Sequence, residues 1–265
     1  MTSAIFKRET RVRRLFIIAL FASALAQPFS VRAAELRVAV ASNFKDTFKV
    51  IAQNFENSTG HTVLISSGST GKHFAQISNG APFDLFLAAD AERPRLVQQR
   101  GLGILGSRRT YAIGKLALLS NLNQQGASNQ DPSQFLTEIS YRHLAIANPS
   151  HAPYGIAAIE VLTSKGLWPK LKPKLVRGEN IAQTFQFVKS GNAELGFIAY
   201  SQIIQLNSAE LGQVWIVPQN LYTPIKQQLI LLKESVAGRE LLNFLETKMV
   251  LEIIRQYGYD TPDVK

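Results

Sequence analysis

Residues 61–71 of the 265-residue chain read His-Thr-Val-Leu-Ile-Ser-Ser-Gly-Ser-Thr-Gly. The first half of this stretch is rich in β-branched and apolar residues, as strands are, and a helix-like segment begins near Lys72. Small hydroxyl residues and glycines at such a junction place backbone N–H and side-chain O–H donors at a helix N-terminus, where oxyanions bind. Ser69 and Thr70 are therefore candidate anion-binding residues.

The same chemistry recurs at three further strand-to-helix junctions, Ala41-Ser42-Asn43, Pro153-Tyr154-Gly155 and Glu179-Asn180-Ile181. For any one of these loops taken alone, a turn that binds no ligand is at least as good an interpretation as an anion site. Four of them together indicate an anion site, because ligands of α/β proteins bind beyond the carboxyl ends of strands. Glu179 is the one acid near these loops, and we expect it to point to solvent.

Strand-like and helix-like runs alternate along most of the chain, which is typical of an α/β protein with a largely parallel sheet. Apolar residues at helical spacing between residues 44 and 55 predict a helix, and Gly60 is suited to end it. We also expect one long strand over residues 110–120 and one C-terminal helix over 236–257. Two successive stretches show a similar alternation of strands and helices, and further strands follow towards the C-terminus. This arrangement predicts two lobes.

The N-terminal 33 residues have the pattern of a cleaved export signal. Five basic residues between positions 7 and 14 precede an apolar run over 15–26. This run is too short to span a bilayer, which takes roughly twenty residues. Small residues at Val31 and Ala33 predict cleavage after Ala33, and the expected location is the periplasm.

Composition excludes several classes of function. The chain has no cysteine, so it has no disulfide, thiolate metal site, cysteine nucleophile or lipoprotein anchor. Its formal net charge of +10 falls to about +5 without residues 1–33, and no dense basic stripe with interleaved aromatic residues indicates nucleic-acid binding. The four histidines show no paired spacing, so we expect no metal site and place them on the surface or in loops.

Two nucleotide or enzyme patterns are incomplete. Residues 68–72 have two residues between the glycines where a P-loop has four, and His73 follows the lysine. Ser67 stands where a nucleophile elbow has its first glycine, so a hydrolase that uses Ser69 or Ser42 with a histidine is only an alternative. The carboxylates of Asp84, Asp90 and Asp131 lie where strands begin or helices are capped, which favours structural roles.

Taken in order, several motifs resemble the periplasmic molybdate-binding proteins of ABC transporters, over essentially the whole chain after the signal. They are Ala41-Ser-Asn-Phe44, Gly68-Ser-Thr-Gly71, Asn79-Gly-Ala-Pro-Phe-Asp-Leu-Phe86, Ala88-Ala-Asp90, Thr110-Tyr-Ala-Ile-Gly114, Asn148-Pro149, Ala152-Pro-Tyr-Gly155 and Leu195-Gly-Phe-Ile198. The resemblance implies a non-enzymatic receptor that captures molybdate or tungstate through hydroxyl and N–H groups, without a cofactor or metal cation. It also implies a soluble, monomeric protein that delivers its cargo to a membrane permease.

The resemblance implies a set of ligand residues as well. Ser42 and Asn43 come from the first loop, Thr70 with Ser69 from the second, and backbone donors from the far lobe, at Tyr154 and Ile181. Some members place a ligand tyrosine at the position of Ala199. Here Tyr200 is one residue later and, on a strand, would point to the opposite face, so we leave it out of the site.

The implied fold is a two-lobed type II periplasmic-binding-protein fold with the ligand cleft between the lobes. We expect residues 34–112 plus 207–265 in lobe I and residues 113–206 in lobe II. Crossing strands near Tyr111 and Val214 should form the hinge. Receptors for sulfate, phosphate or an organic solute stay open as alternatives within this class. Molybdate carries no proton at neutral pH, so its site should contain donors only, whereas a phosphate site would also need an acceptor.

Overall fold

The computed structural model describes residues 33–122, 136–137, 140–207 and 212–262. The predicted signal, apart from Ala33, and Asp131 lie outside these residues. The strands are β1 (Glu35–Ala41), β2 (Thr62–Gly68), β3 (Leu85–Leu87), β4 (Arg109–Gly114), β5 (Leu116–Ser120), β6 (Leu144–Ala147), β7 (Leu175–Gly178), β8 (Leu195–Ala199), β9 (Gln213–Ile216) and β10 (Ile225–Leu231). The α-helices are α1 (Lys45–Thr59), α2 (Thr70–Ser78), α3 (Glu92–Gln99), α4 (Pro153–Ser164), α5 (Trp168–Leu171), α6 (Ile181–Lys189), α7 (Val236–Phe244) and α8 (Lys248–Gln256).

These strands form two separate five-stranded mixed sheets, which confirms the two-lobed α/β prediction. The first has the order β2-β1-β3-β10-β4 and the second β7-β6-β8-β5-β9. Strand β1 is parallel to β2 and β3, and β6 is parallel to β7 and β8. Strands β10 and β5 are antiparallel to both of their neighbours. We call the first sheet with its helices the first lobe, and the second sheet with its helices the second lobe.

Helices cover both faces of each sheet. In the first lobe, apolar side chains of α1, α7 and α8 share one buried cluster, and those of α2 and α3 pack in another. In the second lobe, α4 packs in one cluster, and Val188, Phe185 and Phe187 of α6 pack in another. Because both faces are covered, β1, β5, β6 and β8 are almost entirely apolar. None of the helices in the described part of the chain is long and apolar enough to cross a membrane.

The chain crosses between the sheets twice. The long strand expected over residues 110–120 is wrong: β4 ends at Gly114, β5 begins at Leu116, and the two belong to different sheets. The second crossing runs from β9 to β10. Strand β9 pairs with β5 of the second sheet, although the expected boundary near residue 207 placed it with the first lobe. The lobe boundaries as a whole stay a prediction.

Local signals explain the ends of the outer helices. Gly60 ends α1 with a φ of 74°, and its N–H donates to the Glu56 carbonyl, as the sequence predicted. The single C-terminal helix over 236–257 is wrong, because Thr247 interrupts it. The Thr247 hydroxyl oxygen accepts a hydrogen bond from the Val250 N–H and so caps a new helix, α8.

Helix α1 offers a test of the first-lobe core. Phe48 is fully buried, whereas Val50 on the same helix is 36% exposed. We expect Phe48→Ala to lower the free energy of unfolding by about 3–5 kcal/mol through lost burial and a cavity. Val50→Ala should stay within about 0.5 kcal/mol of the unmodified protein. Urea denaturation measures both, and equal effects would contradict the assignment of this helix face to the core.

Candidate functional site

The four loops that the sequence singled out meet at one small cavity. Two of them follow β1 and β2 of the first lobe, and two follow β6 and β7 of the second. All of the predicted ligand residues line the cavity, namely Ser42, Asn43, Ser69, Thr70, Tyr154 and Ile181. The structure thus brings them together, and their role as ligands stays a prediction.

Ser69 and Thr70 lie at the head of α2. Ser69 occupies the N-cap position but caps nothing, since its side chain accepts no hydrogen bond from the helix. The residue is only 2% exposed, and its Oγ has no hydrogen-bond partner. The Thr70 Oγ1 accepts a 2.9 Å hydrogen bond from the Ala89 N–H, so its own proton is left to donate. A buried hydroxyl without a partner is costly, which points to a ligand that accepts from Ser69.

Ser42 and Asn43 form the start of a short 3-10 helix, Ser42–Phe44, and both are buried. The Asn43 Nδ2 donates to Gln227 Oε1 at 2.8 Å and to Tyr259 Oη at 3.1 Å. The two amide protons therefore have acceptors within the protein. Asn43 was predicted as a neutral donor, and its backbone N–H is the donor that these contacts leave available.

The second lobe contributes the heads of α4 and α6. Pro153 is the first residue of α4 and has no N–H, so Tyr154 carries the first backbone donor of that helix. In α6 the Asn180 Oδ1 accepts hydrogen bonds from the N–H groups of Ala182 and Gln183. This cap leaves the Ile181 N–H, which has no intrahelical acceptor because it lies in the first turn.

None of the described residues that line the cavity carries a charge at neutral pH. Burial raises the pKa of Tyr154 well above its usual range, so the phenol stays protonated. Glu179 lies just outside the cavity, and the expectation that it points to solvent is wrong. It is half-buried, and its Oε1 lies 3.1 Å from Lys72 Nζ on the first lobe. The pair neutralises the acid nearest to the cavity.

The contacts that join the lobes in this closed structure include the following three. Besides the Lys72–Glu179 ion pair, the Gly71 N–H donates to the His151 carbonyl at 2.8 Å. Arg93 Nη2 donates to the Ser150 carbonyl at 3.2 Å. Residues 150 and 151 lie in the loop that leads into α4, so these two contacts join that loop to the first lobe.

The acids that the sequence offered as carboxylate candidates have structural partners. Asp84 Oδ2 accepts from the Arg37 N–H at 2.7 Å. Asp90 accepts from the N–H of Arg93 and forms an ion pair with the Arg93 guanidinium. Asp90 thereby holds the guanidinium that reaches Ser150.

The placement of histidines on the surface or in loops holds for His61, His143 and His151, which lie in loops or turns, and is wrong for His73, which is buried in α2. His61 is buried and its Nε2 lies 2.7 Å from Glu240 Oε2. His73 is buried behind the second loop, where a Cβ on Gly68 would lie 3.0 Å from its Nε2. Burial lowers the pKa of His73, with a partly opposing hydrogen bond to Gln76, so the imidazole is neutral at pH 7. His73 makes no hydrogen bond with Ser69 Oγ, so these two residues do not form a nucleophile–base pair.

Tyr200 does not line the cavity, but the reason given for leaving it out is wrong. It begins a 3-10 helix, Tyr200–Gln202, after β8 has ended at Ala199. Sequence reasoning missed Gln227, which is completely buried and bonded to the cavity residue Asn43. Its sequence signal is weak: the two glutamines of β10 follow Lys226 and precede an apolar run.

Comparison with known proteins finds a matching family, similar sequences and a similar solved structure. Residues 36–260 match the model of a family described as bacterial extracellular solute-binding protein. The chain is 46% identical to the molybdate-binding protein ModA of Rhodobacter capsulatus over 232 residues, which cover 86% of this chain and 89% of that protein. It is 45% identical to ModA of Azotobacter vinelandii over 246 residues, 92% of this chain and 96% of that protein. The solved structure of the Azotobacter vinelandii periplasmic molybdate-binding protein superposes with a TM-score of 0.80 at 39% identity, covering 86% of this chain and all of that one.

Gly71 provides a test of the closed arrangement. A Cβ at this position would lie 2.9 Å from the Cα of His151, too close for the cleft to shut. The φ of Gly71 is not positive, so alanine suits the helix itself and favours it by about 1 kcal/mol. We expect Gly71→Ala to prevent compaction by a saturating tetrahedral oxyanion in small-angle X-ray scattering, with no loss of unfolding free energy.

Ser78→Ala is the matched control, since Ser78 ends the same helix and its Oγ is bonded to Arg100 of the same lobe. This control should become as compact as the unmodified protein when the anion is added. Full compaction of Gly71→Ala would show that the cleft closes without the close approach at Gly71.

Proposed function

Because the chain belongs to the family of bacterial extracellular solute-binding proteins, we propose that it captures molybdate or tungstate for an ABC importer. The main support for this proposal is the cavity between the lobes, which is lined by uncharged donors and includes the unpartnered hydroxyl of Ser69. Relatives at 45–46% identity that are named molybdate-binding proteins support the choice of anion. The function needs no cofactor.

The donor set fits a fully ionised tetrahedral oxyanion. Ser42, Ser69 and Thr70 carry hydroxyl groups, and the first-turn N–H groups of Tyr154 and Ile181 point from the opposite lobe. Each hydrogen bond to a charged group contributes roughly 1.5–3 kcal/mol. The helix N-termini add a positive potential without a cation, so the site neutralises the dianion with dipoles alone.

The same chemistry discriminates among anions. Phosphate near neutral pH carries a proton that needs an acceptor, and no carboxylate lines the cavity. Sulfate has no proton but is smaller than molybdate, so a closed cavity of fixed size leaves some donors too far from its oxygens. Selectivity between molybdate and sulfate therefore comes from cavity size and not from charge.

We infer that the protein works in the periplasm as a monomer and delivers the anion to a membrane permease. The support is the signal-like pattern of residues 1–33 and the solved relative that is described as periplasmic. A binding protein is favoured over a serine hydrolase, because Ser69 Oγ lacks the base that a nucleophile needs. The hydrolase alternative also has no support from the relatives, which are solute-binding proteins.

Titration calorimetry with four anions tests the proposed ligand. We expect molybdate and tungstate to bind one per chain with affinity near or below micromolar, sulfate much more weakly, and phosphate not at all. The reason is the combination of a donor-only cavity with a fixed size. Sulfate or phosphate that matched molybdate in affinity would overturn the assignment of the anion and leave only a general oxyanion receptor.

Single hydroxyl deletions test the donor assignment. Ser69→Ala should weaken molybdate binding by roughly 1–3 kcal/mol, the cost of one donor lost from a buried charge. Because Ser69 Oγ has no protein partner, the variant should unfold at the same temperature as the unmodified protein without anion. Ser42→Ala and Thr70→Ala should weaken binding to a similar degree, and Tyr154→Phe less, since its backbone N–H is the assigned donor.

Ser58→Ala serves as the control for these deletions, because its hydroxyl donates to the Phe55 carbonyl near the end of α1. It should bind molybdate with unchanged affinity. Unaltered affinity of Ser69→Ala would remove this hydroxyl from the site.

A further inference from the structure

Gln227 is a polar residue in the interior of the protein, on β10 of the first lobe, and it is 0% exposed. Its Oε1 accepts hydrogen bonds from Asn43 Nδ2 at 2.8 Å and from Tyr111 Oη at 3.0 Å. Its Nε2 donates to Tyr154 Oη at 3.3 Å. An amide buried this deeply is costly unless it is paired, and here both ends of the amide have partners.

Two of those partners line the anion cavity, and they come from different lobes. Asn43 belongs to the loop after β1 in the first lobe. Tyr154 is at the head of α4 in the second lobe, with its backbone N–H at the cavity and its hydroxyl at Gln227. A single side chain thus connects anion-facing groups on the two sides of the cleft.

Gln227 also lies beside both crossings between the sheets. The pairing of β10 with β4 shifts register between Gln227 and Gln228, close to the second crossing. At the first crossing, a Cβ on Gly114 would lie 2.1 Å from Tyr154 Oη and 2.7 Å from Gln227 Nε2. The tyrosine hydroxyl and the amide therefore fill the space beside the strand that leaves the first lobe.

We propose that Gln227 is a positioning residue that couples the anion-facing loops of the two lobes, so that the lobes hold the bound anion as one unit. The inference rests on the function proposed above. The Gln227–Tyr154 hydrogen bond joins the lobes, whereas the Gln227–Asn43 bond lies within the first lobe. The bond between the lobes stabilises the closed state and contributes nothing to the open one.

Tyr259 also forms hydrogen bonds with Asn43. Its Oη lies 2.6 Å from the Asn43 carbonyl oxygen and 2.9 Å from Ser201 Oγ. The Ser201 Oγ of the second lobe also donates to the Asn43 carbonyl at 3.1 Å. Asn43 is therefore fixed through both its amide and its carbonyl, and contacts from both lobes reach it.

Anion exchange kinetics distinguish positioning from a role in folding alone. With molybdate as the probe, we expect Gln227→Met to release the anion about tenfold faster. This is the effect of losing the hydrogen bond to Tyr154, the one bond of Gln227 that joins the lobes. The association rate should stay within about twofold, because the anion first meets the open protein. Release is measured by displacement with excess tungstate in stopped-flow fluorescence, and affinity by calorimetry.

Gln228→Met is the matched control. Gln228 is the next residue of the same strand, and its amide bonds only first-lobe groups, Thr110 and Arg108. This variant should release molybdate at the rate of the unmodified protein. Equal release rates for Gln227→Met and Gln228→Met would overturn the inference, even if both lowered the unfolding temperature.

A double-mutant cycle tests the route through Tyr154. Tyr154→Phe should also speed release, and its effect should not add to that of Gln227→Met, since both remove the same bond. Tyr141→Phe is the control, because the Tyr141 hydroxyl donates to the Leu136 carbonyl instead. Additive effects would refute the coupling.

The outcomes separate the two proposals. If Gln227→Met does not fold, the comparison of Tyr154→Phe with Tyr141→Phe decides, and equal release rates for these two variants overturn the coupling. If the unmodified protein binds no molybdate, the proposed function fails at the first titration. If it binds molybdate and the Gln227 variant releases it normally, only the coupling fails.

Discussion

The proposed function depends on binding a doubly charged anion without any opposite charge in contact with it. An ion removed from water loses a large hydration energy, and only a dense shell of oriented dipoles replaces it. In the proposed site this shell comes from the first turns of the helices, where N–H groups lack intrahelical acceptors. One helix offers too few such donors, so the fold directs helix N-termini from two sheets at the same small volume.

This requirement explains the two-lobed architecture. Donors that surround an anion on all sides leave no path for its entry unless the two halves of the shell separate. The two sheets are joined by only two crossings within the described residues. Gly71, Lys72 and Arg93 of the first lobe also bond to residues of the second lobe across the cleft. The buried network around Gln227 lies next to the crossings.

Neutrality of the surroundings is as important as the donors. Glu179 would repel a dianion if it were unpaired, and Lys72 neutralises it from the opposite lobe. His73 lies behind the second loop, and the lowered pKa that burial causes keeps it uncharged at pH 7. The electrostatic field in the cavity is then set by backbone dipoles, which have fixed directions and do not titrate.

Much of the fold and the composition of the site could be predicted from the sequence. Helix α1 follows from the spacing of its apolar residues and ends at Gly60. The four loops were recognisable because hydroxyl residues and glycines at strand-to-helix junctions act through local backbone geometry. The strand over residues 110–120 was misread, since an apolar run carries no sign that its halves, separated by Lys115, pair in different sheets.

The sequence by itself determined which groups can donate, which helix starts carry them, and that the chain offers no thiol. These properties depend on residue type and on neighbours within a few positions. Only the tertiary structure decided which donors stay available. Asn43 and Gln227 are 184 residues apart, and their hydrogen bond withdraws the Asn43 amide from the cavity. The pairing of Lys72 with Glu179 and the lack of a partner at Ser69 also depend on how distant segments pack, because a hydrogen bond forms only when folding brings both groups within about 3 Å.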